Sequence, residues 1–269
     1  MTPTLAQVTK GLLAAYNRYP RKHLGQHFLI DPNVVRRIID AAQLSKDDLV
    51  IEIGSGLGVV TAELAREVYQ LIAVEIDKEL LGISQEVLKE QKNVSFVSND
   101  ILKVELAELS LGRKYKVVGN LPYYITAPIV EKILTAAEKP ERAVIMVQKE
   151  VAQRMIAAPG SKQYGSFAIF CQFHAKVVLE SLVSKSSFLP WPEVSSAIVS
   201  LAPHNSPLFP GLDEQVYFKI VHTAFQQRRK KLSTSLDELN LGPTTIDLNR
   251  RPETLSVAEF AELAKVAGA

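Results

Sequence analysis

Cysteine is nearly absent from the sequence, because Cys171 is the only one in 269 residues. One cysteine forms neither an internal disulfide nor a cysteine-rich zinc site, which excludes a disulfide-stapled secreted fold and predicts a reducing, cytoplasmic location. Long apolar runs are absent too: segments such as 143–147 are far shorter than the roughly 18 residues of a membrane-spanning helix. The N-terminal segment shows no signal-peptide pattern, so we expect no membrane partner.

A large net charge is also missing, since 31 Lys and Arg against 29 Asp and Glu give +2. Two segments are nonetheless locally basic, each with a net charge of +5: residues 10–37, which include Arg21 and Lys22, and residues 215–232. The second segment contains four consecutive cations, Arg228, Arg229, Lys230 and Lys231. Such charge runs are either solvated helix faces or surfaces that contact nucleic-acid phosphates.

Short apolar runs alternate with helical patterns between residues 49 and 148. The strand-like runs are 49–53, 71–76, 94–98, 115–119 and 143–148, and helical segments lie near 59–67, 78–90 and 128–137. Nearly continuous apolar strands that alternate with helices are typical of a parallel sheet covered on both faces. The pattern predicts a doubly wound α/β fold of the Rossmann-like type.

The alternation ends after residue 150. A helix is predicted at 151–158, strands at 168–179 and 197–201, and helices at 214–239 and 257–266. Three prolines in the segment 203–211 indicate a linker. We therefore predict one domain over residues 1–202, with a basic N-terminal arm, and a small helical domain over residues 203–269.

A glycine-rich turn, Gly54-Ser55-Gly56-Leu57-Gly58, follows the first strand and precedes a helix. Glycines at this junction let a ligand approach the backbone. Valine at position 59 breaks the dinucleotide pattern GxGxxG, and Glu52 suits an ammonium group better than a pyrophosphate. Glu75 ends the second strand, where a carboxylate accepts from ribose hydroxyls, and Asp100 ends the third, where it faces an adenine amine. Together they indicate S-adenosylmethionine, although a tight turn with capping acids is the alternative.

The fourth strand ends in Asn120-Leu121-Pro122-Tyr123. The Asn120 side-chain oxygen and the Leu121 carbonyl each accept a hydrogen bond, Pro122 fixes the turn, and Tyr123 offers a stacking face. An exocyclic amine on a flat base matches these groups. A structural turn with a core tyrosine is the alternative.

The segment 120–123 resembles the motif of rRNA adenine N6-dimethyltransferases. Four further segments resemble motifs of that family: 24–29, 188–196, 225–232 and 251–255. The chain is most similar to its housekeeping bacterial (KsgA/RsmA) branch. The family has asparagine more often than histidine at position 27, and proline more often than serine at position 55.

The resemblance implies a class I S-adenosylmethionine-dependent methyltransferase domain with a small C-terminal helical domain, acting as a monomer without a metal. Its implied activity is dimethylation of two adjacent adenosines in the 3′-terminal hairpin loop of 16S rRNA, on a pre-assembled small ribosomal subunit. The implied cofactor contacts are His27, Leu29, Gly54, Glu75, Asp100 and Asn120, with Gln26 assisting. The implied base-contacting residues are Asn120, Leu121, Tyr123 and Phe188, and the implied RNA-binding residues are Arg21, Lys22, Arg228, Arg229, Lys230 and Lys231.

Three other functions are weighed against this one. An Erm-type large-subunit rRNA methyltransferase shares the reaction and fold, but Leu121 and the 251–255 motif disfavour it. A non-catalytic RNA-binding assembly factor would retain the fold, but the intact 120–123 motif favours activity. A nicotinamide dehydrogenase is disfavoured by Val59 in the glycine turn.

Overall fold

A computed structural model describes residues 3–21 and 24–267. The chain forms two compact units, the first containing residues up to 152 together with 178–203, and the second containing 153–177 and the residues from 204 onward. The predicted linker at 203 coincides with the final change of unit. Segment 153–177, which we placed in the first domain, belongs to the second unit because Tyr164, Ile169 and Phe173 pack into that unit's hydrophobic core.

The first unit is built on a seven-stranded sheet with the order β4-β3-β2-β5-β6-β9-β7. Neighbours from β4 to β6 are parallel, and β9 runs antiparallel to β6. A separate two-stranded sheet pairs β1 with β8. The strands are β1 Phe28–Leu29, β2 Leu49–Ile53, β3 Gln70–Glu75, β4 Val94–Ser98, β5 Lys116–Asn120, β6 Arg142–Gln148, β7 Ala175–Val183, β8 Phe188–Leu189 and β9 Ser196–Pro203. The predicted α/β fold class is confirmed.

The α-helices between residues 3 and 155 are α1 Leu5–Ala15, α2 Pro32–Ala42, α3 Val59–Ala65, α4 Lys78–Val87, α5 Leu106–Ser110, α6 Thr126–Thr135 and α7 Lys149–Met155. Asp31 and Asp77 are the N-terminal caps of α2 and α4, and their carboxylates accept hydrogen bonds from the first free N–H groups of these helices. Every residue of β2 is buried, as expected for a strand covered on both faces.

The order of the strands positions a crevice at one edge of the sheet. The chain leaves β2 for β3 and β4 on one side, and then returns to β5 on the other side. The loops that follow β2 and β5 therefore diverge, which opens a crevice at the carboxyl ends of these strands. The glycine turn and the 120–123 motif both lie there.

The second unit is mainly helical, with α8 Ser166–His174, α9 Glu214–Gln226, α10 Leu232–Ser235 and α11 Val257–Val266. Its core includes Tyr217, Leu232 and Phe260. Two sequence predictions were wrong here. Residues 168–174 are helical rather than extended, since a short apolar run has no periodicity that separates the two. The helix predicted to end at 239 ends at Gln226, and residues 227–230 form a turn.

Cys171 lies in α8 and is completely buried. Burial raises the pKa of its thiol to about 12, so it remains a protonated, unreactive thiol. Among residues 3–21 and 24–267, no helix is long and apolar enough to cross a membrane. The same residues contain no group of three or more His, Cys, Asp or Glu side chains arranged to hold a metal ion.

Gly58 provides a test of the tight junction between β2 and α3. Its φ is +78°, and a Cβ added there would lie 2.5 Å from Ser84 Oγ and 3.1 Å from Leu88 Cδ1. Gly112 has a similar φ of +72° but nothing within 4 Å of an added Cβ. We expect Gly112→Ala to lower the free energy of unfolding by about 1–2 kcal/mol through backbone strain. Gly58→Ala should lower it by about 1–3 kcal/mol more, because it also overpacks the site. Urea unfolding measures both variants, and equal decreases would contradict the close packing at Gly58.

Candidate active site

One cavity lies at the carboxyl ends of β2, β3, β4 and β5. Its walls come from the loop after each of these strands and from the segment that leads into β1. Most lining residues fall in segments 24–29, 52–60, 74–76, 99–102 and 118–125, and Ile38 and Leu80 complete the wall, whereas Tyr123 lies next to the lining residues without being one of them. The cavity thus brings together every cofactor contact predicted from the sequence: His27, Leu29, Gly54, Glu75, Asp100 and Asn120.

The carboxylate of Glu75 connects the glycine turn to the loop after β3. One oxygen accepts from the Gly56 N–H at 2.9 Å and the other from the Asp77 N–H at 2.8 Å. Gly54 turns with a φ of +80°, and a Cβ added there would lie 3.5 Å from the Asn120 carbonyl oxygen. The turn therefore runs close to the 120–123 motif, with Glu75 fixed beneath it.

Two buried polar atoms in the cavity wall, one carboxylate oxygen of Glu52 and the hydroxyl of Ser55, have no hydrogen-bond partner among residues 3–21 and 24–267. Burial raises the pKa of Glu52 to about 7, and the neighbouring carboxylate of Glu75 acts in the same direction. Burial also raises the pKa of Glu75. Unpartnered buried acceptors are unfavourable unless a ligand donates to them. These acids therefore fit a ligand with cationic and hydrogen-donating groups.

The side-chain amide of Asn120 has a defined orientation. Its Nδ2 donates to the His27 carbonyl at 2.9 Å, and a carbonyl only accepts, so the nitrogen must lie on that side. The side-chain oxygen remains as an acceptor. Tyr123, the predicted stacking residue of the same motif, is held by a hydrogen bond between its hydroxyl and Ser196 Oγ at 2.7 Å. Burial raises the pKa of this phenol, so it remains protonated.

His27 joins three segments that are distant in sequence. Its backbone carbonyl holds Asn120, and its ring stacks on Tyr123 with centroids 5.8 Å apart and planes 23° apart. Its Nδ1 lies 2.9 Å from the Pro190 carbonyl, so Nδ1 carries the proton in this contact. Farther along the same segment, Leu29 pairs with Phe188 across β1 and β8. The 24–29 segment thus holds both the 120–123 motif and the 188–196 segment.

Two predicted base-contacting side chains lie in the core instead of the cavity wall. Phe188 is completely buried and packs in the core of the first unit. Its position gives no support to the predicted stacking role, because a phenylalanine on this short paired strand fills the core. Leu121 is also buried, and only its backbone can contribute, which agrees with the carbonyl role predicted for it.

The predicted RNA-binding cations differ in how far they already contact protein. Arg21 forms ion pairs with Glu79 and with Asp77, the latter at 3.3 Å. Arg228 pairs with Glu253 at 2.7 Å and donates to the Lys162 carbonyl at 2.9 Å. Lys22 lies outside the described residues. The exposed cations of the turn after α9 are Arg229, Lys230 and Lys231, of which Lys231 donates to Asn249.

Sequence reasoning gave no role to Asp77, which lies between β3 and α4. Asp77 is buried, caps α4, and accepts from Gln26 Nε2 at 3.0 Å. Gln26 also accepts from the Arg21 N–H at 2.8 Å. An acid directly after β3 and before a helix is the signal that could have identified it. It links the loop after β3 to the segment before β1.

The comparisons with known proteins agree with this geometry. A family model described as ribosomal RNA adenine dimethylase matches residues 17–267. The ribosomal RNA small subunit methyltransferase A of Geobacillus thermodenitrificans is 41% identical over 273 residues, which cover 95% of this chain and 93% of the relative. A dimethyladenosine transferase from Plasmodium falciparum superimposes with a TM-score of 0.77 at 25% identity, over 88% of this chain and 96% of that one. The 23S rRNA methyltransferase ErmE does so with a TM-score of 0.67 at 27% identity, over 88% and 99%. The chain belongs to the ribosomal RNA adenine dimethylase family.

Proposed function

We propose that this protein dimethylates the N6 amines of two adjacent adenosines in the 3′-terminal hairpin loop of 16S rRNA, in the cytoplasm and on a pre-assembled small subunit. The family supplies the reaction, which is rRNA adenine dimethylation. Relatives named for the small subunit support the choice of substrate, being 40–41% identical over at least 95% of this chain. The observation that carries the proposal is the fixed amide of Asn120, whose oxygen is the acceptor an adenine amine requires.

The cavity fits S-adenosylmethionine, the cofactor on which methyltransferases of this family and fold depend. When bound, it supplies a methyl group on a positively charged sulfonium. Glu52 would attract its ammonium group, Glu75 would accept from its ribose hydroxyls, and Asp100 would accept from its adenine amine. Asp100 already accepts from the Leu102 N–H at 3.0 Å through one oxygen, which fixes the orientation of its carboxylate. Gly54, Leu29 and His27 complete the wall.

The target amine is a poor nucleophile, because its lone pair is delocalised into the adenine ring. In the first transfer, Asn120 Oδ1 and the Leu121 carbonyl each accept one of its N–H bonds and so hold the nitrogen in place, whereas in the second transfer one N–H remains for these two acceptors. With both hydrogens held, the lone pair is directed away from them. Both acceptors are neutral and cannot take up a proton, so the proton released by the methylated amine passes to water.

Stacking brings the base into position. Extruding a base from a stack costs a few kcal/mol and costs least in a hairpin loop. Tyr123 presents a ring that His27 supports from one side and Ser196 holds through the hydroxyl. Because stacking on an aromatic ring contributes about 1–3 kcal/mol per base, Tyr123 offsets much of the extrusion cost.

Replacing Asn120 tests the arrangement of the amine. Asn120→Ala removes the acceptor for the target amine and the donor to His27, so we expect kcat to fall by about 10²–10³ or more. Binding of S-adenosylhomocysteine, measured by calorimetry, should fall far less, and circular dichroism should show an intact fold. Turnover close to that of the wild type would refute the mechanism.

The raised pKa of Glu52 predicts a pH-dependent affinity for the cofactor. A cationic ligand needs the carboxylate, and with a pKa of about 7 the group must lose a proton before binding at lower pH. We therefore expect S-adenosylhomocysteine to bind about tenfold more weakly at pH 6 than at pH 8. Glu52→Gln should bind S-adenosylhomocysteine weakly at both pH values, and its affinity should change little between them.

The ligand-free protein gives an independent check of Glu52. A carboxyl whose folded-state pKa is raised destabilises the fold when it ionises, so its unfavourable effect grows as pH rises from about 4.5 through 7. Glu52→Gln should therefore melt at the same temperature as the wild type near pH 5 and at a higher temperature at pH 8. Identical melting temperatures at pH 8 would contradict the buried charge.

The basic turn after α9 is the surface we propose for the RNA backbone. The exposed side chains of Arg229 and Lys230 form no ion pair within the part of the chain that the structure describes, whereas Arg228 is tied to Glu253. The double variant Arg229→Ala/Lys230→Ala should bind small subunits more weakly. The slope of log K against log salt should become shallower by roughly 0.7–0.9 for each phosphate that is no longer neutralised. The double variant Lys176→Ala/Lys265→Ala, with the same change of charge in the same unit, is the control and should bind like the wild type.

Large-subunit rRNA is the second candidate substrate, because ErmE superimposes over 88% of this chain. Methylation with labelled S-adenosylmethionine, on unmethylated small subunits and separately on large-subunit rRNA, distinguishes the two. Label only in the large-subunit rRNA would overturn the proposed substrate. Tight binding to small subunits without label in either RNA would indicate a non-catalytic assembly factor.

A further inference from the structure

Trp191 is the only tryptophan of the chain, and 69% of its surface is exposed. It lies between β8 and β9, within the 188–196 segment. A single exposed apolar residue needs no explanation by itself. What distinguishes Trp191 is that both ends of its loop are fixed and that one of them is bonded to a residue of the cavity wall.

Several contacts hold the loop around Trp191. On one side, Leu189 pairs with Phe28, and the Pro190 carbonyl accepts from His27 Nδ1 at 2.9 Å. On the other, Lys185 Nζ donates to the Glu193 carbonyl, and the Ser195 carbonyl accepts from the Lys149 N–H at 2.9 Å. The neighbours of Trp191, Pro190 and Pro192, each have a fixed φ. The indole therefore stays on the surface instead of folding back onto the core.

One of these contacts connects the loop of Trp191 to the cavity wall. Its neighbour Pro190 is bonded to His27, a residue of the cavity wall that stacks on Tyr123. Consecutive Cα atoms are about 3.8 Å apart, so the Trp191 backbone is one residue from this wall. Tyr124, which lines the cavity, is 58% exposed. Phe188, the other aromatic residue of the 188–196 segment, is buried in the core.

We propose that Trp191 stacks on an unpaired RNA base next to the target adenosine. The inference rests on the proposed function, since a hairpin loop presents unpaired bases on either side of the one in the cavity. An indole has the largest aromatic face of any side chain, and stacking is available to every base. The backbone of its loop is already fixed and the indole is exposed, so little backbone freedom is lost when a base stacks on it.

The sole tryptophan makes the stacking directly observable. A synthetic RNA hairpin with two adjacent adenosines in its loop is titrated into the full-length protein while indole fluorescence is recorded. We expect quenching that saturates with the Kd found independently by filter binding. Trp191→Phe should keep the Kd within about threefold, whereas Trp191→Ala should raise it about tenfold. Binding of S-adenosylhomocysteine should be unchanged in both variants.

Tyr69 provides the matched control. Tyr69 is 58% exposed, compared with 69% for Trp191. It directly precedes β3, so it lies at the amino end of that strand, opposite the cavity. Tyr69→Ala should leave the Kd for RNA unchanged. If Trp191→Ala binds the RNA hairpin as tightly as Tyr69→Ala does, the inference is overturned.

The remaining outcomes separate this inference from the proposed function. RNA binding and methylation without a change in indole fluorescence would overturn the stacking role and leave the proposed function standing. Trp191→Ala could bind small subunits more weakly than the wild type but bind the hairpin equally well. That result would indicate that Trp191 contacts a ribosomal protein, and it would overturn the stacking role. A wild-type protein that neither binds nor methylates the hairpin or small subunits would overturn both.

Discussion

The site depends on the contacts that His27 makes with two other segments. Its carbonyl orients the Asn120 amide, its ring supports Tyr123, and its Nδ1 holds the Pro190 carbonyl. These contacts join parts of the chain that are about 90 and 160 residues away from it. Because a parallel sheet leaves only loops at the carboxyl ends of its strands, such cross-links are what give the cavity a defined shape. The pairing of β1 with β8 acts in the same place and fixes the direction in which both segments leave the core.

The net charge of +2 is the sum of regions with opposite charge, an acidic cavity wall and a basic segment in the second unit. Glu52, Glu75 and Asp100 line the cavity, and under the proposed function these acidic groups face a cationic cofactor. Arg21 lies among acidic groups as well, since it pairs with Asp77 and Glu79. Its charge therefore attaches the N-terminal segment to the start of α4. In the second unit Arg228 is likewise engaged by Glu253 and Lys231 donates to Asn249, so Arg229 and Lys230 are the cations for which we propose a role in RNA binding.

Much of this arrangement could be predicted from the sequence, because buried parallel strands and a glycine turn have strong local signals. The five apolar runs became β2 to β6, and the predicted cofactor residues share one cavity. Segment 168–174 was wrongly predicted as a strand, because an apolar helix and a buried strand have the same pattern over so few residues. The positions of Phe188 and Arg21 were also beyond sequence analysis. Their surroundings are set by partners distant in the chain, Leu29 and Asp77.

The orientation of the Asn120 amide has a consequence for which nucleobases the cavity accepts. With Nδ2 committed to the His27 carbonyl, the side chain presents only an oxygen to the base. Guanine, hypoxanthine and uracil carry a carbonyl oxygen where adenine carries its amine, and two facing acceptors repel each other and leave both without a donor. A site built to accept hydrogen bonds rejects a ligand that lacks the donor far more strongly than an apolar pocket rejects a wrong shape. Under the proposed function, the main-chain oxygen of His27 thus favours bases with an amine at this position, because it fixes the Asn120 oxygen toward them.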